Sequence, residues 1–186
     1  MIFPTTPSQT VGPYFSLGLP WEAGPCAVAR EAEGAISIAG VLYDGAGEPV
    51  PDGLIETWQA DPEGRFADLH GAGGQAELTG FRGFARAGTN DEGRYEIVTL
   101  KPGAVAGLRD ARQAPHIDVS VFARGMLQRC VTRIYFADEE EANAADPVLA
   151  SVPSERRATL LARPAPRGYE FDIRLQGPGE TVFFDL

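Results

Sequence analysis

The sequence has very few of the residues that bind metals or exchange protons near neutral pH. Among its 186 residues there are only two histidines, His70 and His116, and two cysteines, Cys26 and Cys130. The cysteines lie far apart and form no C-x-x-C pair, which argues against a disulfide framework or a cysteine-bound metal, and we interpret both as reduced and structural. Because histidine is the commonest general base and nitrogen ligand, little is available to build a self-contained active site.

Positive charge and long apolar runs are lacking as well. The 16 lysines and arginines are outnumbered by 26 acidic residues, which gives a net charge of −10 at pH 7. Nucleic acids and anionic membranes bind basic surfaces, so this charge argues against both as partners. No apolar run is long enough to span a bilayer, and residues 1–10 carry neither a basic region nor a hydrophobic signal core. These observations predict a cytoplasmic protein.

Short catalytic motifs are also missing from the sequence. It contains no G-x-S-x-G nucleophile elbow, no G-x-x-x-x-G-K-[ST] loop and no G-x-G-x-x-G loop. The acidic run at 139–141 is typical of a solvated surface rather than of a paired general acid and base. The residues by themselves therefore indicate a domain without its own catalytic set.

Short β-type runs separated by turn residues make up most of the chain. The 22 glycines and 15 prolines are scattered between these runs. Strands are predicted at residues 36–43, 54–60, 83–87, 95–100, 117–122, 130–136, 169–175 and 181–184. We therefore predict one all-β domain over residues 1–186, an antiparallel β-sandwich with short helices and long loops. The alternation of apolar and polar side chains is most regular at 169–175.

Two short helices are predicted among the strands. Residues 139–145 follow Asp138 as an N-cap and begin with acidic residues, which the helix dipole favours. Pro147 is expected to stop this helix. A second helix is predicted over residues 153–162, where a proline suits the first turn.

The one pattern suited to a metal ion is His116-Ile-Asp118. Residues i and i+2 of a strand share a face, so this imidazole and carboxylate could hold one ion together. With His70 as a third ligand they would imitate the two-histidine, one-carboxylate site of iron enzymes. The second histidine of such sites usually follows the H-x-D pair, whereas His70 precedes it in a Gly-rich loop. The competing interpretation is that His116 is a structural histidine whose hydrogen bonds are made within the fold.

Ordered motifs along nearly the whole chain resemble those of intradiol ring-cleaving dioxygenases. They are T-P-S-Q-T-V-G-P-Y-F at 6–15, L-I-E-T-W-Q-A-D at 54–61, G-R-F at 64–66, D-E-G-R-Y at 91–95, T-L-K-P-G at 99–103, A-P-H-I at 114–117 and G-P-G-E-T-V-F-F-D at 177–185. Each motif is weak alone, but the ordered set is specific. The resemblance implies a β-sandwich whose catalytic chains hold Fe(III) with two tyrosines and two histidines.

The chain departs from this family at the ligand positions themselves. The resemblance places the two tyrosine ligands at Phe66 and Val105, and neither side chain has an oxygen. Of the expected H-x-H pair, His116 is present but its partner is Asp118, and the arginine expected three residues before the first histidine is Gln113. A lone imidazole cannot replace a set of hard phenolate ligands for ferric iron. We therefore expect the chain to bind no metal.

Some enzymes of this family are built from two homologous chains, of which only the β subunit binds Fe(III), and this chain resembles the iron-free α subunit. The active site then lies at the α/β interface, and residues 1–35 are expected to form an extended segment that contacts the partner. The residues implied to reach the partner's pocket are Thr10, Gly12, Pro13, Tyr14 and Arg133. The resemblance further implies a small aromatic acid as substrate and a higher-order αβ hetero-oligomer.

Arg133 is the best suited of these residues on physical grounds. A guanidinium in a desolvated interface supplies a fixed positive charge with paired donors for an anionic substrate. A structural ion pair is the competing interpretation of Arg133, as a simple rigid turn is for residues 12–14. A non-enzymatic alternative for the whole chain is a transthyretin-like binding module, because the pattern V-L-Y-D-G-A-G-E-P-V at 41–50 is common to many β-sandwiches.

Overall fold

The computed structural model describes residues 10–12, 14–66, 80–107 and 111–185, which form a mostly β chain with a few short helices. The strands are β1 Ala35–Tyr43, β2 Leu54–Trp58, β3 Phe84–Gly88, β4 Arg94–Leu100, β5 Val105–Ala106, β6 Arg112–Gln113, β7 His116–Phe122, β8 Cys130–Phe136, β9 Leu161–Ala165, β10 Gly168–Glu170 and β11 Ile173–Arg174. The helices are α1 Phe15–Gly18, α2 Glu140–Ala145 and α3 Pro147–Ser151, with a 3₁₀ helix at Arg157–Leu160. No helix of the described ranges is long and apolar enough to cross a membrane.

The strands join into one large sheet with mixed pairing. Its order is β11-β1-β10-β9-β8-β7-β2-β3, and β4 pairs with β1 off this path. Antiparallel pairing is confirmed for β3-β2-β7-β8, β1-β4 and β9-β10. The predicted antiparallel sandwich is not confirmed in this detail, because β1 runs parallel to β10 and β11, and β8 runs parallel to β9. Strands β5 and β6 form a separate two-stranded ladder.

The main core is formed by side chains from strands at both ends of the strand order. It takes side chains such as Ile38 and Ile97 from one end of the strand order and Ile55 and Ile117 from the other, and all four are essentially inaccessible to solvent. Alternation along β7 directs Ile117 to this core and its neighbours on either side to the opposite face. We call that opposite face of β2, β3, β7 and β8 the outer face.

A second, smaller core covers one end of the outer face. Its buried members are Ala114, Tyr135, Leu149, Val152 and Leu160. Leu149 comes from α3 and Leu160 from the 3₁₀ helix, so the helical segment after β8 packs against Tyr135 of that strand. This packing leaves the middle of the outer face less covered, and the candidate site lies there.

The strand predicted at 169–175 is divided into β10 and β11, although its apolar residues are buried as the alternation predicts. The break falls at Phe171 and Asp172. The carbonyl oxygen of Phe171 lies so close to Gly40 that a Cβ on Gly40 would collide with it. The Asp172 carboxylate accepts a hydrogen bond from the Val41 backbone N–H at 2.9 Å. A side chain thus replaces a backbone partner, which interrupts the ladder locally.

Six of the other strand predictions are confirmed to within two residues, but two elements near the C-terminus differ. Residues 181–184 are not a strand, and Phe184 makes one isolated bridge to Val131. The α-helix predicted at 153–162 is wrong: residues 153–156 form no helix, residues 157–160 form the 3₁₀ helix, and β9 begins at Leu161 and pairs with β8. Short apolar segments suit either state, and pairing with an available strand decides between them.

The helix predicted after Asp138 is confirmed as α2, and Pro147 does lie just beyond it. The predicted N-cap is wrong, because the N-cap position is Glu139, which makes no side-chain cap hydrogen bond. Pro147 also begins α3, because a proline is tolerated at the first helical position. Neither α3 nor α1 is among the predicted helices. His70 lies outside the described residues, as does most of the predicted connection around it.

Candidate functional site

Four side chains form a row across the middle of the outer face. Phe84 of β3 is paired in register with Trp58 of β2, Trp58 with Asp118 of β7, and Asp118 with Arg133 of β8. Residues directly opposite each other in antiparallel strands point to the same face, so the register fixes this row. Asp118 is a position at which the family resemblance predicts a histidine ligand.

Arg133 is held within this row by three neighbouring side chains. Its Nε lies 2.8 Å from the Oδ1 atom of Asp118. Its Nη1 donates to the side-chain oxygen of Gln113 at 2.6 Å and, more weakly, to the Tyr135 hydroxyl at 3.4 Å. The side chain is 20% exposed. Burial alone would lower the pKa of Arg133, but the Tyr135 hydrogen bond and the charge of Asp118 outweigh it and raise the pKa.

His116 belongs to a buried group next to Arg133. Its Nδ1 donates to the Ala114 carbonyl at 2.7 Å, which leaves Nε2 as the acceptor of the neutral ring. The ring lies 5.8 Å from that of Tyr135, its register partner. Burial, followed by the positive charge of Arg133, lowers the pKa of His116. The structure therefore favours a neutral histidine satisfied by the backbone.

Tyr135 and Asp146 connect this group to the helical segment. The Tyr135 hydroxyl donates to Oδ1 of Asp146 at 3.2 Å, and Oδ2 of Asp146 accepts from the Ala114 backbone N–H at 2.7 Å. Asp146 also caps α3 by accepting from the backbone N–H groups of Val148 and Leu149. Burial raises the pKa of Tyr135 to about 12, so its hydroxyl stays protonated at neutral pH.

The two positions implied for tyrosine ligands carry hydrocarbon side chains. Phe66 stacks on Trp58 with ring centroids 6.2 Å apart and is 49% exposed. Val105 is buried and pairs with Gln113 in the β5-β6 ladder. In the chain as described, outside the gaps at 67–79 and 108–110, no group of three or more histidine, cysteine, aspartate or glutamate side chains could hold a metal ion.

These residues do not fit an iron centre. Phe66 and Val105 offer no donor atom, and the Asp118 carboxylate is already bound to the Arg133 guanidinium. The Arg133 guanidinium thus lies beside the Asp118 carboxylate, where its positive charge would repel a metal cation. No step of a reaction on this chain can be assigned to a metal at this place.

The structure does not bring the opening residues together with Arg133 in one chain. The backbone N–H of Val11 donates to the Met126 carbonyl, in the connection between β7 and β8, at 2.8 Å. Thr10 and Gly12 flank Val11 and are exposed. At roughly 3.4 Å per residue, the four residues from Asp118 to the end of β7 span about 14 Å. Tyr14 is 80% exposed just before α1, and Pro13 lies outside the described residues.

Several residues of this region are not among the predicted site residues. Trp21 stacks on Phe84 with ring centroids 6.3 Å apart and extends the aromatic row. Tyr135 and Asp146 are likewise not predicted. The Asp146-Pro147 pair is a helix N-cap signal in the sequence and indicates the start of α3. Trp21 lies in an irregular segment and gives no such signal.

Comparisons with known proteins agree with this geometry. The Dioxygenase family model (Dioxygenase_C) matches residues 11–177. The protocatechuate 3,4-dioxygenase alpha chain of Burkholderia cepacia is 47% identical over 198 residues, covering 97% of each chain. The beta chain from that organism is 35% identical over 78% of this chain and 66% of its own length. Catechol 1,2-dioxygenase from Pseudomonas arvilla C-1 shares the fold, with a TM-score of 0.58 at 19% identity over 82% of this chain and 55% of that chain. The chain therefore belongs to the intradiol ring-cleaving dioxygenase family.

Proposed function

We propose that this chain is the iron-free α subunit of a protocatechuate 3,4-dioxygenase. A homologous β subunit supplies Fe(III) on two tyrosines and two histidines. The complex cleaves the bond between the two hydroxyl-bearing carbons of protocatechuate and inserts both atoms of O2, which gives 3-carboxy-cis,cis-muconate. One observation supports the proposal most strongly. The chain is similar to an alpha chain over nearly its whole length, and it has Phe66, Val105 and the Asp118–Arg133 ion pair at the positions implied for metal ligands.

The contribution of this chain to the reaction is substrate binding. Protocatechuate is an anion, and the chain has a net charge of −10, so a local cation is needed. Arg133 is mostly buried, remains protonated and presents a planar guanidinium, which suits a carboxylate. We assign it to the substrate pocket at the α/β interface.

Assembly with the β subunit involves the opening segment, residues 1–35. Thr10, Gly12, Pro13 and Tyr14 are assigned to the pocket of the partner. Tyr14 and Leu17 are 80% and 79% exposed. Burial of such apolar area against a partner would stabilise the complex. The αβ units form a higher-order hetero-oligomer in the cytoplasm.

Metal analysis and oxygen uptake test the proposal. The chain expressed alone should bind no stoichiometric iron and cleave no protocatechuate. Mixed with the β subunit, it should form a complex that contains iron and has the visible colour of tyrosinate-to-Fe(III) charge transfer. Stoichiometric iron on the isolated chain, bound through His116 and Asp118, would overturn the assignment. A β subunit with the same kinetics with or without this chain would favour the binding-module alternative.

A further inference from the structure

The residues that replace family metal-site residues are the residues that hold Arg133. Asp118 stands where the resemblance implies a histidine ligand, and Gln113 stands where it implies an arginine. Asp118 contacts Nε of Arg133 at 2.8 Å, and Gln113 contacts Nη1 at 2.6 Å. The same two substitutions thus remove a metal ligand and build a holder for a guanidinium.

We propose that Gln113 and Asp118 are positioning residues that fix Arg133 for binding of the substrate carboxylate. The inference rests on the proposed function, because it needs Arg133 to face the substrate. Nη2 of Arg133 makes no hydrogen bond to any residue in the described ranges, whereas Nε and Nη1 are both occupied. The holder therefore leaves the Nη2 amino group for an anion.

The holder consists of contacts from three strands. Gln113 lies on β6, Asp118 on β7 and Tyr135 on β8, beside Arg133 itself. Tyr135 is in turn held by the buried Asp146. A long arginine side chain loses much rotamer freedom when it is ordered. Because folding already orders the Arg133 side chain, substrate binding loses less free energy to ordering it.

Gln113 gives a cleaner test than Asp118. Removing the charge of Asp118 would loosen Arg133 but would also leave its positive charge less neutralised, and these two effects on anion binding oppose each other. Gln113 is neutral, so its replacement changes the positioning of Arg133 without changing the local charge. Gln113→Met keeps the length of the side chain and removes the acceptor oxygen.

The experiment uses the iron-loaded αβ complex and compares protocatechuate with catechol, which lacks the carboxylate. Gln113→Met should raise KM for protocatechuate about threefold to tenfold, as expected for one lost hydrogen bond. The kcat, the iron content and KM for catechol should not change. Glu56→Gln is a control for the loss of a polar contact elsewhere on the same face, because Glu56 pairs with Arg86 and not with Arg133. This control should leave both KM values unchanged.

A double-mutant cycle separates positioning from a general structural effect. In the Arg133→Ala background, adding Gln113→Met should cause no further rise in KM, because the residue to be positioned is gone. If Gln113→Met does not assemble with the β subunit, Gln113→Asn withdraws the same oxygen by one methylene and should act in the same direction.

The outcomes distinguish this inference from the proposed function. Unchanged protocatechuate kinetics in Arg133→Ala would remove Arg133 from the pocket and both ideas with it. If Arg133→Ala raises KM but Gln113→Met does not, only the positioning role is overturned. Additive effects in the cycle, or equal effects on catechol and protocatechuate, would also overturn it.

Discussion

Asp118 and Arg133 lie directly opposite each other on β7 and β8, and their side chains form an ion pair 2.8 Å long on the outer face of the sheet. This ion pair is expected if Arg133 is purely structural, and it is equally compatible with an Arg133 that also contacts the substrate. Both the ion pair and a further contact to substrate fit on one guanidinium, because it has five N–H donors. Mutation separates the two roles.

Arg133→Ala in the αβ complex should lower kcat/KM for protocatechuate by about one to two orders of magnitude, the loss expected for a charge-assisted hydrogen bond. Iron content should stay normal, since no metal ligand is touched. A loss confined to KM indicates a contact made equally in the ground and transition states. Steady-state kinetics with catechol provide the control, and an equal loss on both substrates would contradict a charge role.

Asp146→Ala should destabilise the chain by about 2–4 kcal/mol. The substitution removes the N-cap of α3 and leaves the buried Ala114 N–H without its acceptor. Urea denaturation of the purified chain measures the loss. Asp146→Asn keeps one oxygen for the cap and should cost clearly less. Equal stability of the wild type and the alanine variant would show that this network contributes nothing to folding.

Gly40→Ala should destabilise the chain by several kcal/mol, or prevent folding, because the new Cβ would meet the carbonyl of Phe171. Gly18→Ala is the matched control, since nothing lies within 4 Å of the added methyl group. Thermal unfolding followed by circular dichroism compares the two. A Gly40→Ala protein as stable as the control would contradict the close approach of Gly40 to the Phe171 carbonyl.

Deletion of residues 1–15 should weaken αβ association, and so should the single change Leu17→Ser. Burial of one leucine side chain stabilises an interface by roughly 1.5–3 kcal/mol, so Leu17→Ser is expected to raise Kd at least about tenfold. Leu17→Met keeps the apolar area and should bind almost normally. Isothermal titration or sedimentation measures Kd. Unchanged association after the deletion would leave the segment without this role.

Asp138 should contribute stability that depends on pH. Its carboxylate accepts from Tyr169 and pairs with Lys101 at 3.0 Å. Burial alone would raise the pKa of Asp138, but the hydrogen bonds from Lys101 and Tyr169 outweigh it and hold the pKa below its usual value near 3.8. A lowered folded-state pKa means that the contribution is complete above the unfolded value and is lost as pH falls through the folded one.

The free energy of unfolding of the wild type and of Asp138→Asn, measured from pH 7 to pH 2.5, checks this expectation. The difference between them should be constant above about pH 5 and shrink below about pH 4. In the Lys101→Met background the shrinkage should become smaller and move to higher pH. A difference that grows on acidification would contradict the sign.

Much of the outer face could be expected from local sequence patterns. Alternation in β7 places His116 and Asp118 on one face, as observed, because a strand has a period of two residues. The absence of oxygen at Phe66 and Val105 needs no structure to be recognised. The pairing of Asp118 with Arg133 could not be foreseen, because it depends on the register between β7 and β8 across a connection of several residues.

The sequence by itself determined the β-rich class of the chain, most strand positions, the family, and the absence of a donor oxygen at Phe66 and Val105. These follow from residue identity and short-range periodicity. Only the tertiary structure decided that β1 pairs in parallel with β10 and β11, that Phe171 interrupts the C-terminal strand against Gly40, and that Gln113, Asp118 and Tyr135 surround Arg133. Those relationships join residues distant along the chain, and they depend on which backbones pack together rather than on any local preference.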